Sequence, residues 1–168
     1  MAKKKKDWSY QGKIIKTIDD VPSNSIGFIY IVRNLSNNRF YIGRKSFFSI
    51  RSQKIVKSTY DKLKSNGEFV TKTKDKRKSK VGKPVWNYKK INRKETPWKT
   101  YTGSSKELNA DLAKGVEYEK EILMFCFSKK EISYRELEQI VCSKCLERDD
   151  CYNGNVLGKW FPNDLIID

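Results

Sequence analysis

The 168-residue sequence predicts an α+β domain: a small, mostly antiparallel three-stranded sheet flanked by helices and carrying a basic insertion. Three observations carry that expectation. Two runs rich in Ile, Val, Phe and Tyr, residues 27–33 and 39–43, stand either side of "NLSNN" and read as a hairpin. A third apolar run, 117–127, lies between two helical patterns. Residues 72–94 hold 11 Lys or Arg against one Asp, too many charges for a core element.

In chain order, residues 1–26 open with four consecutive lysines, a short strand at "KIIKTI" and a turn-rich "DDVPSNS". They are expected as a basic tail and lead-in to a domain at 27–155, with a C-terminal tail at 156–168. Alternation places Phe28, Tyr30 and Val32 on one face of the first hairpin strand, and Arg39, Tyr41 and Gly43 on one face of the second. Which faces coincide depends on register. Residues 44–66 are expected to include a helix with Ile55, Tyr60 and Leu63 as its apolar positions, ended at "SNG".

The basic stretch, within an insertion at about 67–96, reads as a loop or arm. Trp86 and Tyr88 interleave Lys74, Lys76, Arg77, Lys78, Lys80, Lys83, Lys89 and Lys90, which favours a nucleic-acid contact surface over a merely solvated one. A helix at 104–114 has capping-box spacing at Ser104 and Glu107 and stops at Gly115. The run 117–127 enters the core as a strand. A helix at 131–147 follows, with Leu137, Ile140, Val141 and Lys144 inward, and the tail turns at Asn153, Gly154 and Asn155.

Composition narrows the function. Lys and Arg number 36 against 20 Asp and Glu, a formal charge of +16, so an anionic polymer is the expected partner. No apolar run approaches the roughly 18 to 20 residues that span a bilayer, and the basic N-terminus has no apolar stretch behind it. A cytoplasmic protein with no membrane partner is expected. Cys142, Cys145 and Cys151 form a C-x2-C-x5-C pattern that with Cys126 could supply four thiolates, but paired knuckles are missing, so ordinary reduced thiols are expected rather than structural zinc. The chain has no histidine, which removes the commonest general base and the commonest metal ligand together. Catalysis here would rest on Tyr, Lys, Asp, Glu or bound water.

"FIY" at 28–30 and "YIG" at 41–43 resemble the signature of the GIY-YIG nuclease superfamily, with Gly27 one place ahead of the usual glycine position. That family carries a catalytic arginine on its first helix ten residues beyond the YIG tyrosine, a position held here by Arg51. It also has a metal-ligating glutamate on a later helix, for which "SYRELEQIV" offers Glu136 or Glu138, Glu136 being preferred, and an asparagine near the domain end, Asn153 in "CYNGN". The "FYIGRKS", "WKTYTGSS" and "YNGN" segments look most like the Seg-type free-standing homing endonucleases of bacteriophages.

The resemblance implies a metal-dependent endonuclease acting on double-stranded DNA with Mg²⁺ or Mn²⁺. Tyr30 would be the base, Tyr41 would position water or phosphate, Arg51 would bind the scissile phosphate, Glu136 would hold the metal and Asn153 would brace the site. An ordinary phenol costs roughly 3.4 kcal/mol to ionise at pH 7.5. Arg44, Lys45 and Arg51 are expected to reduce that cost. One active site per domain implies a homodimer on DNA or two successive nicks.

Two readings compete. A restriction-type or DNA-degrading member of the same superfamily would act on many sites, and a non-catalytic basic nucleic-acid-binding protein would not need Arg51 or Glu136. The restriction-enzyme-like core is excluded because no acidic residue stands two places before a lysine.

Overall fold

The computed structural model describes residues 6–75 and 84–165. Ahead of the hairpin, Trp8–Tyr10 (β1) and Lys13–Ile15 (β2) already form antiparallel strands joined by Gln11 and Gly12, both at positive φ. This is the backbone of a two-residue type I′ turn, and glycine at its second position removes the strain a side chain would meet there. Gly27–Asn34 (β3) and Phe40–Ser46 (β4) are the predicted hairpin, paired from Gly27↔Ser46 to Arg33↔Phe40. Further along lie Phe48–Ile55 (β5), Lys57–Ser65 (α1), Val70–Lys74 (β6), Trp86–Glu95 (β7), Lys106–Ala113 (α2), Tyr118–Cys126 (β8) and Lys129–Cys142 (α3).

The chain divides into two units: Met1–Phe47 with Thr96–Asp168, and Phe48–Glu95. The first is built on a five-stranded sheet in the order β2-β1-β8-β3-β4, in which only β1 and β8 run parallel. The fold is therefore α+β as expected, but its main sheet is larger than three strands and mixed. What the sequence hid is β1, whose three residues follow a lysine run. Trp8 is fully buried, packs edge-on against Phe28 and Tyr30, and donates its indole N–H to Trp98 O at 2.8 Å.

β3 is central and nearly all buried, as a continuously apolar strand covered on both faces should be. One face carries Phe28, Tyr30 and Val32 into an aromatic layer with Trp8, Phe47 and Trp98. The other carries Ile29 and Ile31, which with Ile42 of β4 pack against Ile132 and Ile140 of α3 and against Cys126, Cys145 and Cys151. Those three cysteines serve as small apolar core groups. Val141 is exposed and α3 ends before Lys144, so the inward stripe expected over 131–147 is narrower and shorter.

The cap of α3 also moves. Ser128 caps it, accepting from Glu131 N at 3.1 Å, and Glu131 accepts from Phe127 N at 2.7 Å, so the helix begins ahead of residue 131.

The second unit is a three-stranded antiparallel sheet, order β5-β7-β6, with α1 beside it. The expected basic arm therefore includes a pair of hydrogen-bonded strands, β6 and β7. The helix expected within 44–66 is confined to 57–65, because Phe48–Ile55 pairs along its whole length with β7. At the base of this insertion Thr96 N donates to Phe47 O at 2.8 Å, so the two chain segments leave the first unit side by side.

Candidate active site

In the first unit, Tyr30 on β3 lies opposite Gly43 on β4, and Tyr41 lies opposite Val32, so both tyrosines share one face of the sheet with ring centroids 6.1 Å apart. Gly43 is what lets them do so. A Cβ there would fall 2.6 Å from the Tyr30 hydroxyl oxygen and 2.8 Å from Tyr41 Cε1, closer than real side chains approach. Tyr41 Oη shares a 3.0 Å hydrogen bond with Ser104 Oγ, in the loop ahead of α2.

Ser104 does not cap that helix. Ser105 does, accepting from Leu108 N at 3.3 Å, while Glu107 pairs with Arg39. The adjacent serines of "TGSSKEL" were the available signal that one hydroxyl is spare for another task.

Arg44 and Glu136 meet across β4 and α3, Nε to Oε2 at 3.1 Å, and Arg44 also donates to Ser133. The Glu136 side chain is 18% exposed. Burial raises its carboxyl above the ordinary value, with the Arg44 guanidinium pulling the other way. Glu138 instead pairs with Arg135 at 2.8 Å and faces an apolar groove with Tyr134 and Val141. Of the two glutamates the sequence offered, Glu136 is the one that opens on the tyrosines.

Asn153 is buried and tied to the outer edge of β4: its Oδ1 accepts from Ile42 N at 2.9 Å and its Nδ2 donates to Ile42 O at 2.8 Å. The side-chain amide stands where a neighbouring strand's peptide group would. Tyr152 beside it accepts from the Asn34 and Asn37 amides and donates to Asp111 at 2.8 Å, joining the hairpin turn and α2 to the same edge. Sequence reasoning missed this network, because no local pattern links residues more than a hundred positions apart.

Together Tyr41, Arg44, Ser104, Glu136 and Asn153 line a cleft of about 660 Å³, with Tyr30 behind Tyr41. Tyr30 is 1% exposed, and burial, followed by the neighbouring Tyr41, Tyr101 and Glu136, pushes its phenol well above 10. The expectation that surrounding cations would ease its ionisation is reversed: desolvation wins. Tyr41 is raised too, mainly by burial. Lys45 has its ammonium 3.8 Å from the Tyr101 ring centre and is lowered by burial.

Arg51 stands on strand β5 of the second unit, exposed and opposite Asn92, rather than on a helix. In "FFSIRSQKI" apolar and polar residues alternate only over Phe48, Ser49, Ile50 and Arg51, and it is pairing with β7 along the whole segment that makes it a strand where the family leads one to expect a helix. Among the residues expected to contact DNA, Lys74, Trp86, Tyr88, Lys89 and Lys90 lie on β6 and β7. Lys76, Arg77, Lys78, Lys80 and Lys83 lie outside the described residues.

Among the described residues no helix is long and apolar enough to cross a membrane. No curated protein and no solved structure matches the chain. A family model described as "Putative endonuclease segE, GIY-YIG domain" matches residues 8–156, from the buried Trp8 of β1 to Val156 beyond Asn153, and so takes in Tyr41, Arg44, Ser104, Glu136 and Asn153 of the cleft. The chain belongs to the SegE-type GIY-YIG endonuclease family.

Proposed function

We propose that the chain is a metal-dependent endonuclease that hydrolyses phosphodiester bonds of double-stranded DNA, of the phage homing type. The observation that carries this is the convergence of Tyr41, Arg44, Glu136 and Asn153 on one cleft with Tyr30 behind it. The residue types suit a divalent cation with few protein ligands: Glu136 is a mostly buried carboxylate, and Glu107, the other acid lining the cleft, is held by Arg39. Glu136 would hold Mg²⁺ or Mn²⁺, which takes its remaining oxygens from water and the substrate's phosphate. Bound there, the ion would supply Lewis-acid stabilisation of charge on the phosphate and leaving oxygen.

The chain's own groups do the rest. When Glu136 is engaged elsewhere, Arg44 is released from its ion pair and turns its planar fork to the scissile phosphate. Neutralising Glu136 also removes one of the anionic neighbours that keep the Tyr30 phenol protonated. Water attacks phosphorus as the P–O ester bond breaks, and Tyr30 relays the proton: its oxygen accepts from the water while its own hydrogen passes to a non-bridging phosphate oxygen, and the leaving oxygen takes a proton from solvent, so no phenolate stands free in so buried a place. Tyr41 and Ser104 position the water or a phosphate oxygen, and Asn153 fixes the strand edge that carries Tyr41 and Arg44. Arg51, in the second unit, is a further candidate phosphate ligand, and cutting both strands takes a homodimer on DNA or two successive nicks.

Cleavage of supercoiled plasmid and phage DNA, with Mg²⁺ or with EDTA, tests the reading in wild type, Arg44→Ala, Arg51→Ala and Glu136→Ala. Cutting by the wild type only with metal, and its loss in Glu136→Ala, supports it; a few discrete fragments mark a homing enzyme and many mark a restriction or DNA-degrading one. A wild type that binds at low salt but never cuts with either metal would make the protein a binding module.

A further inference from the structure

Residues 48–95 hold 16 Lys and Arg against 4 Asp and Glu, so +12 of the chain's formal +16 falls in the second unit. Its register sorts those charges onto two unlike faces. Trp86, Tyr88 and Lys90 lie on the face that α1 covers: the Tyr60 ring rests 4.9 Å from that of Tyr88, Lys72 sits over Trp86, and Lys90 pairs with Glu68 at 2.6 Å. Of the two aromatic residues that looked like stacking groups, Tyr88 is spent on packing against Tyr60, while Trp86 stays 39% exposed beside Lys72.

The opposite face carries a different set. Lys54 and Thr71 both pair with Lys89, placing the three in one row across the sheet, and Ser52, Thr73 and Arg93 belong to the same face. Ser52, Lys54, Thr71, Thr73 and Arg93 are exposed, and among the described residues neither Lys54 nor Lys89 has an ion pair. Phe48 and Ile50 share this face, with Arg93 over the Phe48 ring, but the short hydroxyl groups beside Lys54 and Lys89, on a sheet face over which no described helix packs, match DNA more closely than an apolar partner.

We propose that this uncovered face of β5, β7 and β6 is laid into the DNA major groove, with Lys54, Lys89 and Arg93 on phosphates and Ser52, Thr71 and Thr73 at base edges. Neighbouring strands are about 4.8 Å apart, so the outer two lie about 10 Å apart, within a major groove about 12 Å wide and too broad for a minor groove of about 6 Å. Serine and threonine are side chains that can reach base edges while letting the backbone come close. The inference rests on the DNA-endonuclease reading for its partner and adds where the DNA is read.

The test uses the full chain carrying Glu136→Gln, in EDTA, so that binding is measured without cutting. Anisotropy titrations on a duplex selected from a random-sequence pool are run over a range of salt, with dimethyl sulfate footprinting of guanine N7 and adenine N3. Adding Lys54→Ala, Lys89→Ala and Arg93→Ala together is expected to weaken binding at least tenfold near 0.1 M salt and to flatten the salt slope by up to about 2.7, from about 0.9 per phosphate contact. Adding Ser52→Ala, Thr71→Ala and Thr73→Ala is expected to keep the slope and lose guanine N7 protection. Replacing Lys57, Lys62 and Lys64 by alanine, on α1 at the other face, should change affinity less than threefold. Unchanged affinity and slope in the first set, or protection of adenine N3 instead of guanine N7, overturns the proposal. If the wild type cuts DNA while the first set binds normally, this surface alone is wrong. If DNA binds through this face but is never cut, the surface stands and the nuclease reading falls.

Discussion

At Gly43 a single hydrogen atom in place of a methyl group decides whether two tyrosines fit. Gly43→Ala would drive a Cβ to 2.6 Å from the Tyr30 oxygen, and β3 and β4 are too tightly paired to move apart. The expected cost is about 1 to 3 kcal/mol of stability, read by thermal or urea unfolding, with loss of cleavage beyond what the destabilisation explains. Glu136 carries the opposite kind of strain. Its carboxyl is raised above the ordinary 4.5, so the folded chain holds that proton more tightly than the unfolded one, and the ionised form weighs against folding once pH rises through the folded value. Glu136→Gln is therefore expected to raise the thermal midpoint at pH 7.5, by about 2 to 4 °C if the penalty is on the order of 1 kcal/mol, while abolishing cleavage. Below about pH 4.5 both states are protonated and the gain should vanish. Arg44, 41% exposed on its side chain, loses little when its partner goes.

Among elements, the edge of β4 is closed by a loop rather than by another strand. Phe40 exchanges backbone hydrogen bonds with Asp150 and Tyr152, and the Asn153 amide completes the row at Ile42. Asn153→Ala would leave a backbone donor and acceptor at Ile42 without partners. An expected loss of about 1 to 3 kcal/mol follows, measurable as a lowered denaturation midpoint, with Asn153→Asp restoring only the bond from Ile42 N. The sequence made the β3–β4 hairpin, β8, α2 and α3 legible, because each has a periodic core or a cap of its own. It misled over 44–66, where "FSIRSQKI" needs β7, some forty residues on, to become a strand. Likewise Ser104 and Glu107 have capping-box spacing, yet it is Ser105 that caps α2. Local spacing alone does not say which of two serines starts a helix.

Across the whole molecule, the first unit depends on residues that read as a tail. Trp8 fills the aromatic layer under Phe28 and Tyr30, and β1 pairs in parallel with β8. Deleting residues 1–12 is expected to cost about 3 to 5 kcal/mol, comparable to emptying a buried tryptophan site, and should show as a lowered midpoint and weakened cleavage. A truly dispensable tail would leave both unchanged. Tyr41, Glu136 and Asn153, named from motif order in the sequence, line one cleft, because motif order survives insertion. Arg51 instead stands on β5 of the second unit, since an insertion placed directly after Phe47 breaks the fixed count from the YIG tyrosine to the next arginine. Arg44, only three residues past Tyr41, keeps its place in the cleft whatever follows it.

The insertion's two ends, one hydrogen bond apart at Phe47 and Thr96, have a consequence for heredity as well as for structure. A segment whose exit and return points nearly touch can be gained, lost or traded in one recombination event without stretching the scaffold around it. Chemistry and address would then be inherited on separate cassettes, so that related chains could share a cutting machine while each carries a different reader of its target.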